Sequence, residues 1–112
     1  MKLLWVCNQI PGQVRKHIGA GEGSALWVDR VFDAIRTGND SLHVLCRGGN
    51  SRGNLDDLCS YTLFPELVPH QYSSAIENLF AEELMRFQPD VIHIWGTEYS
   101  HTLAMVNAAE KT

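Results

Sequence analysis

Apolar residues in this chain fall into four short runs, separated by longer stretches with helical periodicity. Each run has the length of a β-strand. The first is continuous and suited to burial on both faces of a parallel sheet, and the fourth is also expected to be a buried strand. The third run is the weakest and is expected at a sheet edge. The four runs are Lys2–Cys7, Leu42–Cys46, Tyr61–Phe64 and Val91–Trp95.

Three helices are expected between and after these strands. Ser24 is placed to cap a helix that runs to about Thr37, with apolar residues on one face. The segment Ser74-Ala75-Ile76-Glu77 is a capping box, and Pro89 ends the helix that it opens. A last helix begins near Ser100.

Two remaining segments are expected to be loops: Asn8–Glu22, which is polar and contains glycines, and Arg47–Asp57, which is rich in glycine and asparagine and lacks periodicity. Strands that alternate with helices indicate an α/β domain, here a Rossmann-like three-layer sandwich. We expect a mostly parallel sheet of about four strands with helices on both faces. Sheets of this type usually contain more strands, so residues 1–112 are expected to be part of a larger protein.

Composition narrows the class of protein. With 112 residues, 45% apolar residues and a net charge of −4, the chain is typical of one globular domain and lacks the basic face that nucleic acids require. No apolar stretch is long enough to span a membrane. Three widely spaced cysteines, Cys7, Cys46 and Cys59, favour buried thiols in the cytoplasm over disulfides or a metal site.

The fourth apolar run breaks at a glycine and is followed at once by a cluster of polar residues. A strand that delivers polar side chains at its carboxyl end is how open α/β sheets build ligand sites. Glu98 and His101 could bind sugar hydroxyls or move a proton, or could be a helix-terminus charge and a solvated histidine. The cluster comprises Gly96, Thr97, Glu98, Tyr99, Ser100 and His101.

A glycine-rich segment, Gly19–Ser24, precedes the first predicted helix. It could present backbone N–H groups to a phosphate, or it could be a surface loop. Its spacing does not fit the dinucleotide fingerprint, which disfavours a nicotinamide-dependent enzyme. His17 could add positive charge there or be solvated. His93 is expected to be a core residue that supports the site from beneath.

Three segments together resemble the amino-terminal domain of GT-B-fold glycosyltransferases, and in particular the large retaining family numbered four. They are Lys2–Asn8, Gly21–Val28 and Pro89–Tyr99, and the last is the most specific. The resemblance covers most of the chain in order. It departs at Trp95, where many relatives carry a second histidine, so no catalytic role is transferred to that position.

The resemblance implies an enzyme that moves a sugar from a nucleotide-diphosphate donor to an acceptor hydroxyl in bacterial glycan synthesis. Gly21, Gly23 and Ser24 would approach the donor diphosphate. Glu98 and His101 would be catalytic groups on the acceptor side, and Gly96, Thr97, Glu98 and Tyr99 would bind substrate. Such enzymes generally need no bound metal or other cofactor. The carboxyl-terminal donor-binding domain is expected to be absent, so this fragment alone would be inactive.

A second hypothesis is a stand-alone, flavodoxin-like nucleotide-binding or interaction module without catalysis. It predicts tight nucleotide or flavin binding by these residues alone. Under either hypothesis we expect no nucleic acid partner and no transmembrane segment, which leaves peripheral membrane association open.

Overall fold

A computed structural model describes residues 1–21, 26–65, 72–95 and 101–111 of the chain. These residues form an α/β fold of five strands and four helices, which confirms the predicted class. The elements in chain order are β1 (Lys2–Cys7), α1 (Gly12–Ile18), α2 (Leu26–Arg36), β2 (Ser41–Arg47), β3 (Arg52–Asn54), β4 (Cys59–Phe64), α3 (Ser74–Phe87), β5 (Val91–Ile94) and α4 (His101–Lys111).

The strands form one mixed sheet in the order β3-β4-β2-β1-β5. β1, β2, β4 and β5 are parallel, whereas β3 runs antiparallel to β4. The chain therefore moves outward from β1 through β2 to β4, and then crosses back to place β5 on the other side of β1. In this register Trp5 of β1 lies between Val44 of β2 and His93 of β5.

Helices cover both faces of the sheet, as predicted. Trp5 and Cys7 of β1 belong to the core beneath α1 and α2, whereas Leu4 and Val6 belong to the core beneath α3 and α4. Because successive side chains of a strand point to opposite faces, β1 must be apolar at nearly every position.

The prediction that Asn8–Glu22 is a loop is wrong, because this segment contains α1. Val14 and Ile18 of this helix are four residues apart and pack in the core beneath α1 and α2, with Val14 fully buried, and Ile10 joins the same core just before the helix begins. Spacing of this kind is the signature of one helical face. Gly19 ends the helix in the left-handed conformation, with φ of 73°.

The prediction of a loop over Arg47–Asp57 is wrong in part, because β3 lies within it and pairs with β4. β4 is consequently an inner strand and not the edge strand that was predicted. The close approach explains why β3 carries a glycine: a Cβ added to Gly53 would lie 2.6 Å from the Tyr61 hydroxyl oxygen.

β5 lies at the opposite edge, where it pairs only with β1 among the described strands. Its residues alternate between exposed and half-buried, so the prediction that this strand is buried is wrong. The predicted cap of α3 is wrong by one residue. Ser73, and not Ser74, accepts a hydrogen bond from the Ile76 backbone N–H at 3.3 Å.

Candidate functional site

A crevice is expected at the carboxyl ends of β1 and β5. The chain runs from β1 to β2 on one side of β1 and crosses from β4 to β5 on the other side, so the strand order reverses between β1 and β5. Open α/β sheets bind ligands at such a reversal of strand order. The loop after β1 begins at Asn8, and the segment after β5 begins at Trp95.

Aromatic packing joins the carboxyl end of β5 to the start of α2. The ring centroids of Trp27, in the first turn of α2, and Trp95 are 5.0 Å apart. Trp95 also packs on the buried Trp5, with ring centroids 5.2 Å apart in an edge-to-face arrangement. Trp27 remains 53% exposed. The glycine-rich segment Gly19–Ser24 ends just before Trp27, and the polar cluster begins directly after Trp95. The contact between these two tryptophans therefore joins the residues that flank the two segments.

The Trp95 indole Nε1–H is buried and has no hydrogen-bond partner among the residues that the structure describes. Buried indole donors usually have a partner. Trp95 directly follows β5, so the end of this strand carries one buried hydrogen-bond donor.

The first turns of α1 and α2 are tied together beside the crevice. The Asp29 carboxylate of α2 accepts a hydrogen bond from the Gly12 backbone N–H at 2.7 Å. Pro11, at the N-cap of α1, makes no side-chain cap of its own, so Asp29 supplies the missing acceptor from the neighbouring helix. The Gln13 side-chain amide donates to Asp33 at 2.7 Å on the outer surface.

A basic group stands at the carboxyl end of β2. The Arg47 guanidinium Nε donates to the backbone carbonyl oxygen of Asn8 at 3.4 Å, which connects the ends of β2 and β1. The next residue, Gly48, adopts φ of 118° and donates to the Phe64 carbonyl oxygen at 2.8 Å. Hydrogen bonds to main-chain carbonyl oxygens therefore connect the carboxyl end of β2 with the carboxyl ends of β1 and β4.

Most of the predicted site residues lie outside the described ranges. Gly23 and Ser24 fall in the segment 22–25, and Gly96, Thr97, Glu98 and Tyr99 fall in the segment 96–100. Their assignments stay predictions. Gly21 is described, with φ of 79° and no atom within 4 Å of an added Cβ. Its backbone conformation, and not crowding, therefore accounts for glycine at this position.

His101 begins α4 and is fully buried, with its ring 6.1 Å from that of Phe64. The interpretation of a solvated first-turn histidine is therefore wrong, while its catalytic assignment stays a prediction. His93 is an exposed residue of β5, and its ring stacks on Trp95 with centroids 4.1 Å apart. The prediction that His93 is a core residue is wrong, because β5 is an edge strand. His17 lies at the end of α1 against Tyr61.

A second polar cluster, which the sequence interpretation missed, lies beneath α3. His43 of β2 is bonded through Nδ1 to the Ser60 hydroxyl at 2.6 Å and through Nε2 to the Glu83 carboxylate at 3.0 Å. The Thr62 hydroxyl donates to Glu83 at 3.1 Å. The alternation Ser60-Tyr61-Thr62 was the available signal, because it places two hydroxyls on one face of a strand.

The charge state of this cluster follows from its hydrogen bonds. Burial would raise the pKa of Glu83, but hydrogen bonds from His43 and Arg86 outweigh that effect and lower the pKa to about 2. Glu83 is therefore a carboxylate at neutral pH, although its side chain is only 1% exposed. Because a carboxylate only accepts hydrogen bonds, the facing His43 Nε2 must carry a proton.

The three cysteines are buried and unbridged, as predicted. Burial raises the pKa of Cys7 and Cys46 far above that of an ordinary thiol, and raises the pKa of Cys59 to about 11. In the described part of the chain no group of three potential metal ligands comes together, and no helix has the length and apolarity to cross a membrane.

Comparison of the chain with protein-family models, with curated proteins and with solved structures finds no match.

Proposed function

We propose that residues 1–112 form the Rossmann-like, acceptor-side domain of a glycosyltransferase that uses a nucleotide-diphosphate sugar. The observation that carries the proposal is the contact between Trp27 and Trp95. This contact joins the start of α2 to the end of β5. The glycine-rich segment precedes α2 in the chain, and the polar cluster follows β5. A phosphate-binding segment and a hydroxyl-binding segment would need to face the same crevice in this way.

The strand order supports the Rossmann-like part of the proposal. Counting only the parallel strands in chain order, the sheet reads 3-2-1-4, which is the first part of the order in dinucleotide-binding domains. The additional strand β3 is short and antiparallel, and it lies at the edge remote from the crevice. It therefore leaves the arrangement at β1 and β5 intact.

In this proposal the protein supplies orientation and electrostatic support. Backbone N–H groups of Gly21–Ser24 and of the first turn of α2 would stabilise the departing diphosphate. Glu98 would accept a hydrogen bond from the acceptor hydroxyl and orient it towards the donor. His101, which is fully buried at the start of α4, would assist from within the core.

A second lobe would bind most of the donor. The edge formed by β5 and α4 supports such a partner, because the exposed side chain of Val106 lies there beside the half-buried side chains of Ile92 and Ile94. Apolar groups exposed together on one side of a domain are typical of a surface that packs against other protein.

Titration of the chain with saccharides and nucleotides tests the proposal. The protein has three tryptophans, so the indole N–H signals of Trp5, Trp27 and Trp95 can be followed by NMR. We expect mono- and disaccharides to shift the signals of Trp27 and Trp95 more than that of the buried Trp5. Nucleotide sugars should bind weakly without the second lobe. Absence of any saccharide-induced shift would count against an acceptor site.

The role of Glu98 is tested in an assembly that also contains the donor-binding domain. Glu98→Gln should lower kcat/KM for sugar transfer by about tenfold or more, since a hydrogen bond to a charged group contributes roughly 1.5–3 kcal/mol. Glu110→Gln is the matched control, because Glu110 is exposed on α4. Equal activities of the two variants would exclude the assignment of Glu98.

A stand-alone nucleotide-binding module is the second candidate. It is favoured by α4, because Ala104, Met105 and Ala108 of this helix are buried in the core beneath α3 and α4. The strand order differs from the flavodoxin-like order, in which the third parallel strand lies beside the first. Tight binding of a flavin or a nucleotide by this chain, without saccharide binding, would favour the module over the glycosyltransferase domain.

A further inference from the structure

An open cleft of about 500 Å³ lies between the last turn of α3 and the strands β2, β3 and β4. Its lining includes His43 and Ser60, which are near the amino ends of their strands, so the cleft is on the amino-terminal half of the sheet. The crevice at β1 and β5 is at the carboxyl ends. The cleft is therefore a separate site that the proposed function does not use.

Two arginines border this cleft and converge on one buried carboxylate. Arg52 Nη2 donates to Glu83 Oε1 at 3.2 Å, and Arg86 Nη2 donates to Glu83 Oε2. Both arginine side chains are about half exposed, at 53% and 49%. A guanidinium has five N–H donors, so each arginine has donors in addition to the one that binds Glu83.

The charges of the cluster do not cancel. One arginine would neutralise Glu83, and the second leaves an excess positive charge at the open side of the cleft. Glu83 itself cannot serve as a cation ligand, because Oε1 accepts hydrogen bonds from Thr62 and Arg52, and Oε2 from His43 and Arg86. The cleft is therefore suited to an anion.

The cleft also has polar and aromatic surfaces for the body of such a ligand. The Ser60 hydroxyl lines it, and its position is fixed by the hydrogen bond to His43. The Phe87 ring packs against His43 with centroids 5.4 Å apart, and the Lys2 amino group lies 4.7 Å from the Phe87 ring centroid. Lys2 adds another positive charge near the cleft.

We propose that this cleft binds the phosphate group of a small molecule between the guanidinium groups of Arg52 and Arg86. Planar guanidinium groups match the spacing of phosphate oxygens, and charge-assisted hydrogen bonds of this kind are stronger than neutral ones. Glu83 positions both arginines, since each is held to one of its oxygens. Ser60 donates or accepts a further hydrogen bond at the floor of the cleft.

Calorimetric titration of the 112-residue chain with inorganic phosphate and with glucose 6-phosphate tests this site, with glucose as the uncharged probe. We expect both phosphates to bind and glucose not to bind. Tighter binding of the sugar phosphate would identify a phosphate monoester as the ligand, and equal binding would identify free phosphate. No binding of either phosphate at millimolar concentration would overturn the proposal.

Matched variants locate the binding. Arg52→Gln and Arg86→Gln should each weaken phosphate binding by about tenfold or more, because each removes a charge-assisted hydrogen bond. Arg30→Gln removes the same charge from an exposed position on α2 and should leave binding within about twofold. Arg52→Lys keeps the charge but loses the planar geometry, and should also weaken binding. If Arg30→Gln weakened phosphate binding as much as Arg52→Gln, the effect would come from the net charge of the protein alone, and the proposed site would be overturned.

Discussion

Trp27 and Trp95 are in contact although one opens α2 and the other follows β5, with ring centroids 5.0 Å apart. Trp95 in turn packs edge-to-face on Trp5, which is buried between the sheet and α2. The three rings form a continuous aromatic path from the core to the exposed side chain of Trp27 at the start of α2. The position of the exposed ring is therefore coupled to the packing of the sheet.

Trp27→Ala should reduce the free energy of unfolding by about 1 kcal/mol, which is the contribution expected of an aromatic pair beyond burial. It should also shift the indole N–H signal of Trp95. Chemical denaturation and NMR measure the two effects. Met85→Ala is the control, since Met85 is 68% exposed on α3 and should change stability by less than about 0.5 kcal/mol. Equal losses in both variants would mean that the contact contributes nothing.

Asp29→Ala should destabilise the protein by about 1 kcal/mol, since it leaves the Gly12 N–H at the start of α1 without its acceptor. Asp29→Asn should restore part of the loss because the amide oxygen can still accept. Asp33→Ala makes the same chemical change on the same helix but removes only an exposed contact with Gln13. If Asp33→Ala lowered the midpoint of urea unfolding as much as Asp29→Ala, the role of Asp29 as the acceptor for the Gly12 N–H would be contradicted.

The main elements could be predicted from sequence because burial on both sheet faces demands continuous apolar runs, as in β1 and β2. The helix α1 was missed because its apolar residues, Val14 and Ile18, are few and the segment around them contains Pro11 and several glycines. β3 was missed because its three residues, Arg52–Asn54, carry no apolar pattern. Its pairing is stabilised by main-chain contacts with β4, which composition does not reveal.

The candidate site was harder to predict than the fold. A polar cluster after a strand could be recognised, but the sequence could not tell that β5 is an edge strand and that His93 is therefore exposed. The Glu83 cluster depends on α3 facing particular positions of β2 and β4. His43, Ser60 and Glu83 are far apart in the chain, and only the register of β2 with β4 brings the first two together.

The buried thiols should be unreactive in the folded protein. Since burial raises the pKa of all three cysteines, almost no thiolate exists at pH 8. We expect a disulfide reagent such as Ellman's reagent to label no cysteine at once in the native protein, and all three after unfolding in guanidinium. Rapid labelling of a native thiol would show that it is accessible and would contradict its place in the core.

Glu83 should make the protein sensitive to acid. Its pKa in the folded state, about 2, is below the ordinary value of 4.5, so the ionised group stabilises the fold fully above pH 4.5. This stabilisation is lost as the pH falls from 4.5 towards 2, and it amounts to about 3 kcal/mol. The free energy of unfolding, measured by urea denaturation between pH 6 and pH 3, should therefore fall.

Glu83→Gln should lower stability at pH 6 and make its dependence on pH shallower, because the glutamine cannot titrate. Glu82→Gln is the control, because Glu82 directly precedes Glu83 in α3 but is exposed. This substitution should leave the dependence of stability on pH unchanged. Asp56 and Glu77 also have lowered pKa values, through hydrogen bonds with Arg36 and Lys111, and contribute to acid sensitivity in every variant. The difference between the Glu83→Gln and Glu82→Gln curves therefore isolates Glu83. Parallel curves for these two variants would show that the buried carboxylate does not stabilise the fold as its hydrogen bonds indicate.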